Sequence, residues 1–144
     1  MYEDEPEETP QEAVEIYSKW AIRGFAIFFG TIFGGVLLML NLRRAGYKKA
    51  AVMVLVVSII YTVISAVATS FISHNPGSMA GLVFNIIGAL MLADYFFPRY
   101  FPDNDYYPKS IWNALGISIL INITFFLVLY YSGYLPELKA MIAK

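Results

Sequence analysis

Residues 20–49 read WAIRGFAIFFGTIFGGVLLMLNLRRAGYKK, and this stretch decides the fold. It holds no charged residue between Arg23 and Arg43. A helix needs about 20 consecutive apolar residues to cross a hydrocarbon layer about 30 Å thick. The stretch therefore predicts one membrane-spanning helix, over residues 21–42, that leads into a basic loop.

The composition extends this interpretation to the whole chain. Of the 144 residues, 58% are hydrophobic and 15% are charged, which is too apolar a mixture for a surface that faces water. The apolar residues fall in long blocks, so the fold class is predicted to be all-α, an integral membrane protein with a four-transmembrane-helix bundle. The net charge of −1, without a basic face, argues against a nucleic-acid partner.

Four spans are predicted, at residues 21–42, 50–73, 79–97 and 111–132, in a membrane domain that covers 21–133. The acidic segment 1–9 has nothing to bury and is predicted to be disordered. Residues 10–20 are predicted to form an interfacial helix that begins with a capping box, and the alternative is an extension of the first span. Residues 134–144 form a short C-terminal tail.

The basic residues near the span ends predict the orientation. The loops after the first and third spans hold six Lys and Arg, whereas Lys19, Arg23, Lys139 and Lys144 are placed on the other side. Loops one and three are therefore predicted to face the cytoplasm, with both termini outside. In this topology Arg23 and Asp94 lie on opposite sides of the membrane and cannot pair.

Small and polar residues recur at helical spacing in every predicted span. Helices in lipid associate through such residues, because lipid tails are as apolar as leucine. The predicted helix-packing seam consists of Gly30, Gly34, Ser58, Thr62, Ser65, Thr69, Gly81, Asn85, Gly88, Ser118 and Asn122. Packing is the favoured interpretation of this seam, and a polar pathway through the membrane is the alternative.

A second candidate site is a polar cluster at the cytoplasmic end, formed by Asn41 and Asp94. The short side chain of Asp94 cannot reach far towards the interface, so it is expected to pair with Asn41 or a base of loop one. The alternative is the mouth of a proton or cation path. The basic loop, which consists of Arg43, Arg44, Lys48 and Lys49, is interpreted as a topological anchor and as a possible contact for anionic lipid headgroups.

No catalytic residue, metal site or cofactor is predicted. The single histidine, His74, lies beside a turn, and the chain has no second His and no Cys that could complete a zinc site. Residues 103–105 have the opening spacing of a calcium loop without its remaining ligands. The protein is therefore predicted not to be an enzyme.

Residues 28–50, FFGTIFGGVLLMLNLRRAGYKKA, resemble a group of small uncharacterised bacterial membrane proteins with four spans. The matching positions are Phe29, Gly30, Gly34, Gly35, Asn41, Gly46 and Ala50, and a weaker likeness covers 107–112. The group often has a proline in the glycine stretch, where this chain has Thr31-Ile32-Phe33. The resemblance implies a bacterial source and a location in the cytoplasmic (inner) membrane. It implies no mechanism.

The leading functional prediction is a non-enzymatic accessory or interaction subunit embedded in the lipid bilayer. Such a subunit would pack against a second copy, as a homo-oligomer, or against a larger membrane partner. The alternative is a small oligomeric transporter or channel whose pathway is lined by spans two to four. In that case the pathway would be lined by Asn85, Asn122 and the hydroxyl stripe of the second span, which consists of Ser58, Thr62, Ser65 and Thr69.

Overall fold

The computed structural model describes residues 14–74, 78–102, 106–133, 140 and 143. The predicted disordered segment 1–9, the first part of the predicted interfacial helix, residues 103–105 and most of the C-terminal tail lie outside this range. The chain divides into two units, Met1–Lys109 and Ser110–Lys144. The elements are β1 (Glu15–Ile16), α1 (Lys19–Phe28), α2 (Thr31–Arg44), α3 (Lys48–Ile72), α4 (Met79–Leu90), a π-helical segment (Met91–Phe96), α5 (Phe97–Tyr100), β2 (Tyr107–Pro108) and α6 (Trp112–Tyr131).

Three helical stretches in the described residues are long and apolar enough to cross a membrane: Lys48–Ile72, Met79–Tyr100 and Trp112–Tyr131. They correspond to the second, third and fourth predicted spans. Their β-branched and aromatic residues are helical because a backbone in lipid must satisfy its hydrogen bonds within the segment. The mostly helical structure and these stretches agree with an integral membrane protein.

The first predicted span is not one helix. α1 ends at Phe28 and α2 begins at Thr31, and between them Gly30 has a φ of +106°, which residues with a Cβ atom rarely adopt. α1 and α2 have 10 and 14 residues, so they are about 15 and 21 Å long, each shorter than a hydrocarbon layer of about 30 Å. The prediction of a single membrane-spanning helix over 21–42 is therefore wrong.

The two short helices form an antiparallel pair, the α1–α2 hairpin. A Cβ atom at Gly34 of α2 would lie 2.7 Å from the Cβ of Ala26 and 2.8 Å from the carbonyl oxygen of Ile22, both in α1. α2 also packs against α3 and α4, and α1 packs against α4 and the π-helical segment. The hairpin is thus the centre of the first unit, and Leu38 and Leu42 of α2 are fully buried there.

The third predicted span changes its helical geometry near its end. Pro98 has no N–H group to donate to the carbonyl of residue 94, and its ring would clash with that carbonyl in a regular α-helix. The N–H of Phe97 instead donates to the carbonyl of Leu92, five residues earlier. Such a π-turn rotates the side chains around the helix axis, and Asp94 lies within it, facing α1.

Candidate functional site

An N-terminal strap, residues 14–17, crosses the end of the first unit at which α2 ends. The predicted interfacial helix over 10–20 is wrong for these residues, since they are extended and α1 begins at Lys19 with Ser18 as its N-cap. The physical reason is that the backbone groups of the strap bond to other parts of the chain. Those bonds tie the start of the hairpin to its end.

One edge of the strap pairs with β2. β1 and β2 run parallel, with Glu15 opposite Tyr107 and Ile16 opposite Pro108. The N–H of Tyr107 donates to the carbonyl of Val14 at 3.3 Å, and the N–H of Lys109 donates to the carbonyl of Ile16 at 2.8 Å. Pro108 lies between these two donors, where an N–H group would point away from β1, so the proline does not interrupt the pairing.

Asn41, near the end of α2, holds the last residue of the strap. The N–H of Tyr17 donates to Oδ1 of Asn41, and Nδ2 of Asn41 donates to the carbonyl of Tyr17, both at 2.8 Å. Asn41 is 1% exposed and Tyr17 is 5% exposed. The side-chain amide of Asn41 therefore bonds to Tyr17 as the backbone of a neighbouring strand would. Because Asn41 bonds to Tyr17, the predicted cluster of Asn41 with Asp94 is not formed.

Asp94 pairs with two bases of α1. Its Oδ1 lies 2.8 Å from Nζ of Lys19 and 2.5 Å from Nη2 of Arg23. The prediction that Arg23 and Asp94 lie on opposite sides of the membrane is wrong, because the hairpin keeps the start of α1 at the same end as the end of α2. The predicted partners of Asp94, which were Asn41 or a base of loop one, are therefore wrong: it pairs with bases that precede the hairpin turn.

The basic loop connects α2 and α3. Arg43, Arg44, Lys48 and Lys49 are all exposed, and Nη1 of Arg44 donates to the carbonyl of Glu15 in the strap at 3.2 Å. Among the described residues, the ion pairs involve Asp94 and the bases of α1. Within that part of the chain, the four bases of this loop have no carboxylate partner.

A groove of about 570 Å³ lies beside the basic loop. The rings of Tyr47 and Tyr100 contact each other at this groove, with centroids 5.3 Å apart. Its lining consists of Gly46, Tyr47, Lys48, Lys49, Ala50, Met53 and Tyr100. The groove therefore combines two cations, two phenol rings and an apolar surface.

Three hydroxyls of the stripe on α3 bond to their own helix. Ser58, Thr62 and Ser65 donate to the carbonyls of Val54, Ser58 and Tyr61, at 2.8, 2.8 and 2.7 Å. Each acceptor lies four residues earlier, the usual way for Ser and Thr to satisfy a hydroxyl in a helix. Ser58 is fully buried, so its hydroxyl is unavailable to a solute in this conformation.

Glycines determine where the helices of the first unit meet. At four glycines a side chain of another helix occupies or borders the space that a Cβ atom would need. Gly30 is not one of them, because it forms the hairpin turn. The pairs are Gly34 with Ala26, Gly35 with Ser58, Gly81 with Thr69 and Gly88 with Thr31. Gly35 is the contact that the predicted seam omitted.

Two polar residues lie at the turn of the hairpin. Nδ2 of Asn85 donates to the carbonyl of Ile27 at 3.4 Å, one of the carbonyls left without a helical partner where α1 ends. Thr31 is 2% exposed, and its hydroxyl has no hydrogen-bond partner among the described residues. Asn85 is thus part of the support for the turn.

In α6, Nδ2 of Asn122 donates to the carbonyl of Ser118 at 2.9 Å. Both residues lie on the stripe predicted for the fourth span, and Ser118 is 4% exposed. This bond lies within one helix, as in the stripe of α3. Like that stripe, it is the pattern expected of residues used for packing.

No cluster of three or more His, Cys, Asp or Glu that could hold a metal ion occurs in the described part of the chain. The predictions of no metal, no cofactor and no catalytic residue stay predictions. Sequence reasoning missed the strap and the role of Lys19. The available signal was the isolated Asn41 at the end of an apolar helix, because a buried amide needs partners.

The sequence and the structure were compared with family models, with curated proteins and with solved structures, and none matches this chain.

Proposed function

We propose that this protein is a non-enzymatic accessory or interaction subunit of a membrane. The observation that carries the proposal is that polar residues of the predicted spans form hydrogen bonds within their own helix or pack against a neighbouring helix. The hydroxyls of Ser58, Thr62 and Ser65 bond to their own helix, and Ser58 packs on Gly35. These groups stabilise the fold, which supports packing over a pathway.

The opposite face of α3 is suited to lipid or to another membrane helix. Its exposed side chains are large and apolar, and they recur at steps of three and four residues: Val52, Val56, Ile59, Ile60, Val63, Ile64 and Val67. In lipid, such a face associates through close packing rather than through a hydrophobic drive. A second copy of this chain and a larger membrane protein both fit this face.

We also propose a topology in which the α1–α2 hairpin enters the membrane and returns, while α3, the α4–α5 stretch and α6 cross it. The resemblance of residues 28–50 favours a bacterial cytoplasmic membrane. The contacts of the strap with β2 and Asn41 support a strap on the same side as loops one and three. With α6 as the last crossing, the C-terminus lies outside.

The distribution of basic residues supports this topology. The side of the strap and of loops one and three then holds eight of the ten Lys and Arg: Lys19, Arg23, Arg43, Arg44, Lys48, Lys49, Arg99 and Lys109. This is a stronger bias than four spans would give, and basic residues mark the cytoplasmic side. The N-terminal strap is therefore cytoplasmic in this proposal, which replaces the outside N-terminal side expected for four spans.

Single-cysteine labelling tests the topology, and the chain has no native cysteine to interfere. We expect Glu15→Cys and Tyr47→Cys to react with a membrane-impermeant thiol reagent in inside-out vesicles. His74→Cys should react in right-side-out vesicles, because it follows α3. If Glu15→Cys instead reacts from the same side as His74→Cys, residues 21–42 cross the membrane and the hairpin topology is wrong.

The second candidate is the small oligomeric transporter or channel, and the hairpin turn is the observation that favours it. Transporters place helix breaks near the middle of the bilayer, where free backbone groups and helix ends bind solutes. α1 is about 15 Å long, so the turn at Gly30 would lie at about that depth. The pathway would pass Asn85 and the stripe of α3.

Labelling of the stripe distinguishes the two candidates. We expect Ser58→Cys, Thr62→Cys, Ser65→Cys and Thr69→Cys to be protected from polar thiol reagents in intact membranes, because packed or lipid-facing positions exclude water. Tyr47→Cys, at an exposed loop position, is the positive control. Reaction at all four stripe positions would favour the transporter or channel and contradict the accessory role.

A further inference from the structure

We propose that the groove beside the basic loop binds the phosphate headgroup of an anionic phospholipid. The inference rests on the proposed membrane location of the protein. It gives the groove a partner of defined chemistry: a negatively charged phosphodiester that carries acyl chains.

The groove carries positive charge, so it is suited to an anion. Lys48 and Lys49 line it, and Arg43 and Arg44 lie in the same loop. In the described part of the chain none of these four bases pairs with a carboxylate. Lys48 and Lys49 also lie in the first turn of α3, which holds no acid, and cations there are disfavoured by the helix dipole. An anion in the groove would offset both sources of positive potential.

The position of the groove matches the depth of lipid headgroups. It lies where α3 begins and where the α4–α5 stretch ends at Tyr100. Tyr47 and Tyr100 are the kind of residue that concentrates at the membrane interface, where a ring can contact acyl carbons while its hydroxyl stays in water. Each lysine there is worth about 1 kcal/mol of attraction to an anionic surface.

The apolar lining distinguishes a lipid from a soluble anion. Met53 lies five residues after Lys48, which places it about 7.5 Å further along α3, towards the hydrocarbon. A free phosphate would use the lysines and leave Met53, Ala50 and the phenol rings without a contact. A phospholipid fills both parts of the groove, with its phosphate at the lysines and its first acyl carbons at Met53.

The test is a lipid titration of the purified full-length protein in detergent micelles, followed by native mass spectrometry. The lipids are dioleoyl phosphatidylglycerol, which is anionic, and dioleoyl phosphatidylcholine, which has the same acyl chains and no net charge. We expect phosphatidylglycerol to bind more tightly. The K48Q/K49Q variant should lose about 30-fold in affinity for it, from about 1 kcal/mol for each lysine.

Three controls make the result decisive. K139Q/K144Q changes the net charge of the chain equally and should retain binding, and K48R/K49R should retain it through its charge. Inorganic phosphate at the same concentration should not displace phosphatidylglycerol. Equal binding of the two lipids, an equal loss in K139Q/K144Q, a loss in K48R/K49R as large as in K48Q/K49Q, or displacement by phosphate would each overturn the inference.

The proposed function is tested separately by the labelling of the stripe and by recovery of the protein in the membrane fraction. If the protein is found in membranes and its stripe is protected, but it shows no preference for phosphatidylglycerol, this inference alone is overturned. A protein found outside the membrane fraction would contradict the proposed function itself.

Discussion

Gly34→Ala is expected to lower the free energy of unfolding by about 2 kcal/mol. The new Cβ would lie 2.7 Å from the Cβ of Ala26 and 2.8 Å from the carbonyl oxygen of Ile22. Neither atom can rotate away, because a carbonyl and an alanine Cβ move only with the backbone, so α1 and α2 must separate. Overpacking costs up to about 3 kcal/mol, and the helix propensity of alanine recovers about 1 kcal/mol.

Gly24→Ala is the matched control in the same hairpin. Apart from its chain neighbours and the backbone of α1, no heavy atom of the described residues lies within 4 Å of a Cβ atom at Gly24, so this variant should be neutral or more stable by up to about 1 kcal/mol. Both variants can be compared by unfolding in mixed micelles of dodecyl maltoside and sodium dodecyl sulfate, followed by circular dichroism. Equal stability of the two variants would show that the hairpin contact at Gly34 is absent.

Asn41→Ala is expected to release the N-terminal strap and to destabilise the fold by about 3 kcal/mol. The substitution leaves the buried N–H and carbonyl of Tyr17 without partners, and each such group costs about 1–3 kcal/mol. Hydrogen exchange followed by mass spectrometry should show faster exchange in a peptide that contains residues 14–17. The same micelle unfolding assay gives the loss in stability.

Two further variants control this prediction. Asn122→Ala removes an amide that bonds within its own helix. Since even side-chain hydrogen bonds between membrane helices average only about 0.6 kcal/mol, this variant should have a small effect. Asn41→Asp keeps the acceptor for the N–H of Tyr17 but brings a carboxylate against the carbonyl of Tyr17, so it should not rescue the strap. Unchanged exchange at residues 14–17 in Asn41→Ala would show that another contact holds the strap.

These contacts give the two ends of the hairpin different physical roles. At the open end, Asn41 and the pairs of Asp94 with Lys19 and Arg23 join the strap, α1, α2 and the third span. At the closed end, the backbone of Gly30 makes the turn. The basic loop and its groove lie at the open end, so a lipid bound there would contact the part of the protein that these polar contacts hold together.

Several features follow from the sequence because they depend on composition and local spacing. The spans that end at Ile72, Tyr100 and Tyr131 are long apolar blocks, which lipid obliges to be helical whatever their propensity in water. The exposed basic loop follows from four charges in seven residues. The stripe of α3 was visible as hydroxyls at helical spacing, and each Ser or Thr has a carbonyl of its own helix within reach.

The tertiary structure decided the direction of the chain within the first apolar block. A hydropathy score sums the values of the residues in a segment and takes no account of the direction of the chain. One helix that crosses the membrane and two helices that enter and return therefore have the same score. The block holds several glycines, and Gly24, Gly34 and Gly35 are helical while Gly30 adopts a positive φ. Which glycine turns the chain depends on the contacts that follow: Gly34 against α1, Gly35 against α3 and Asn41 against the strap. Those contacts bring together residues 24 positions apart at Tyr17 and Asn41 and 71 apart at Arg23 and Asp94, a proximity that no local pattern encodes.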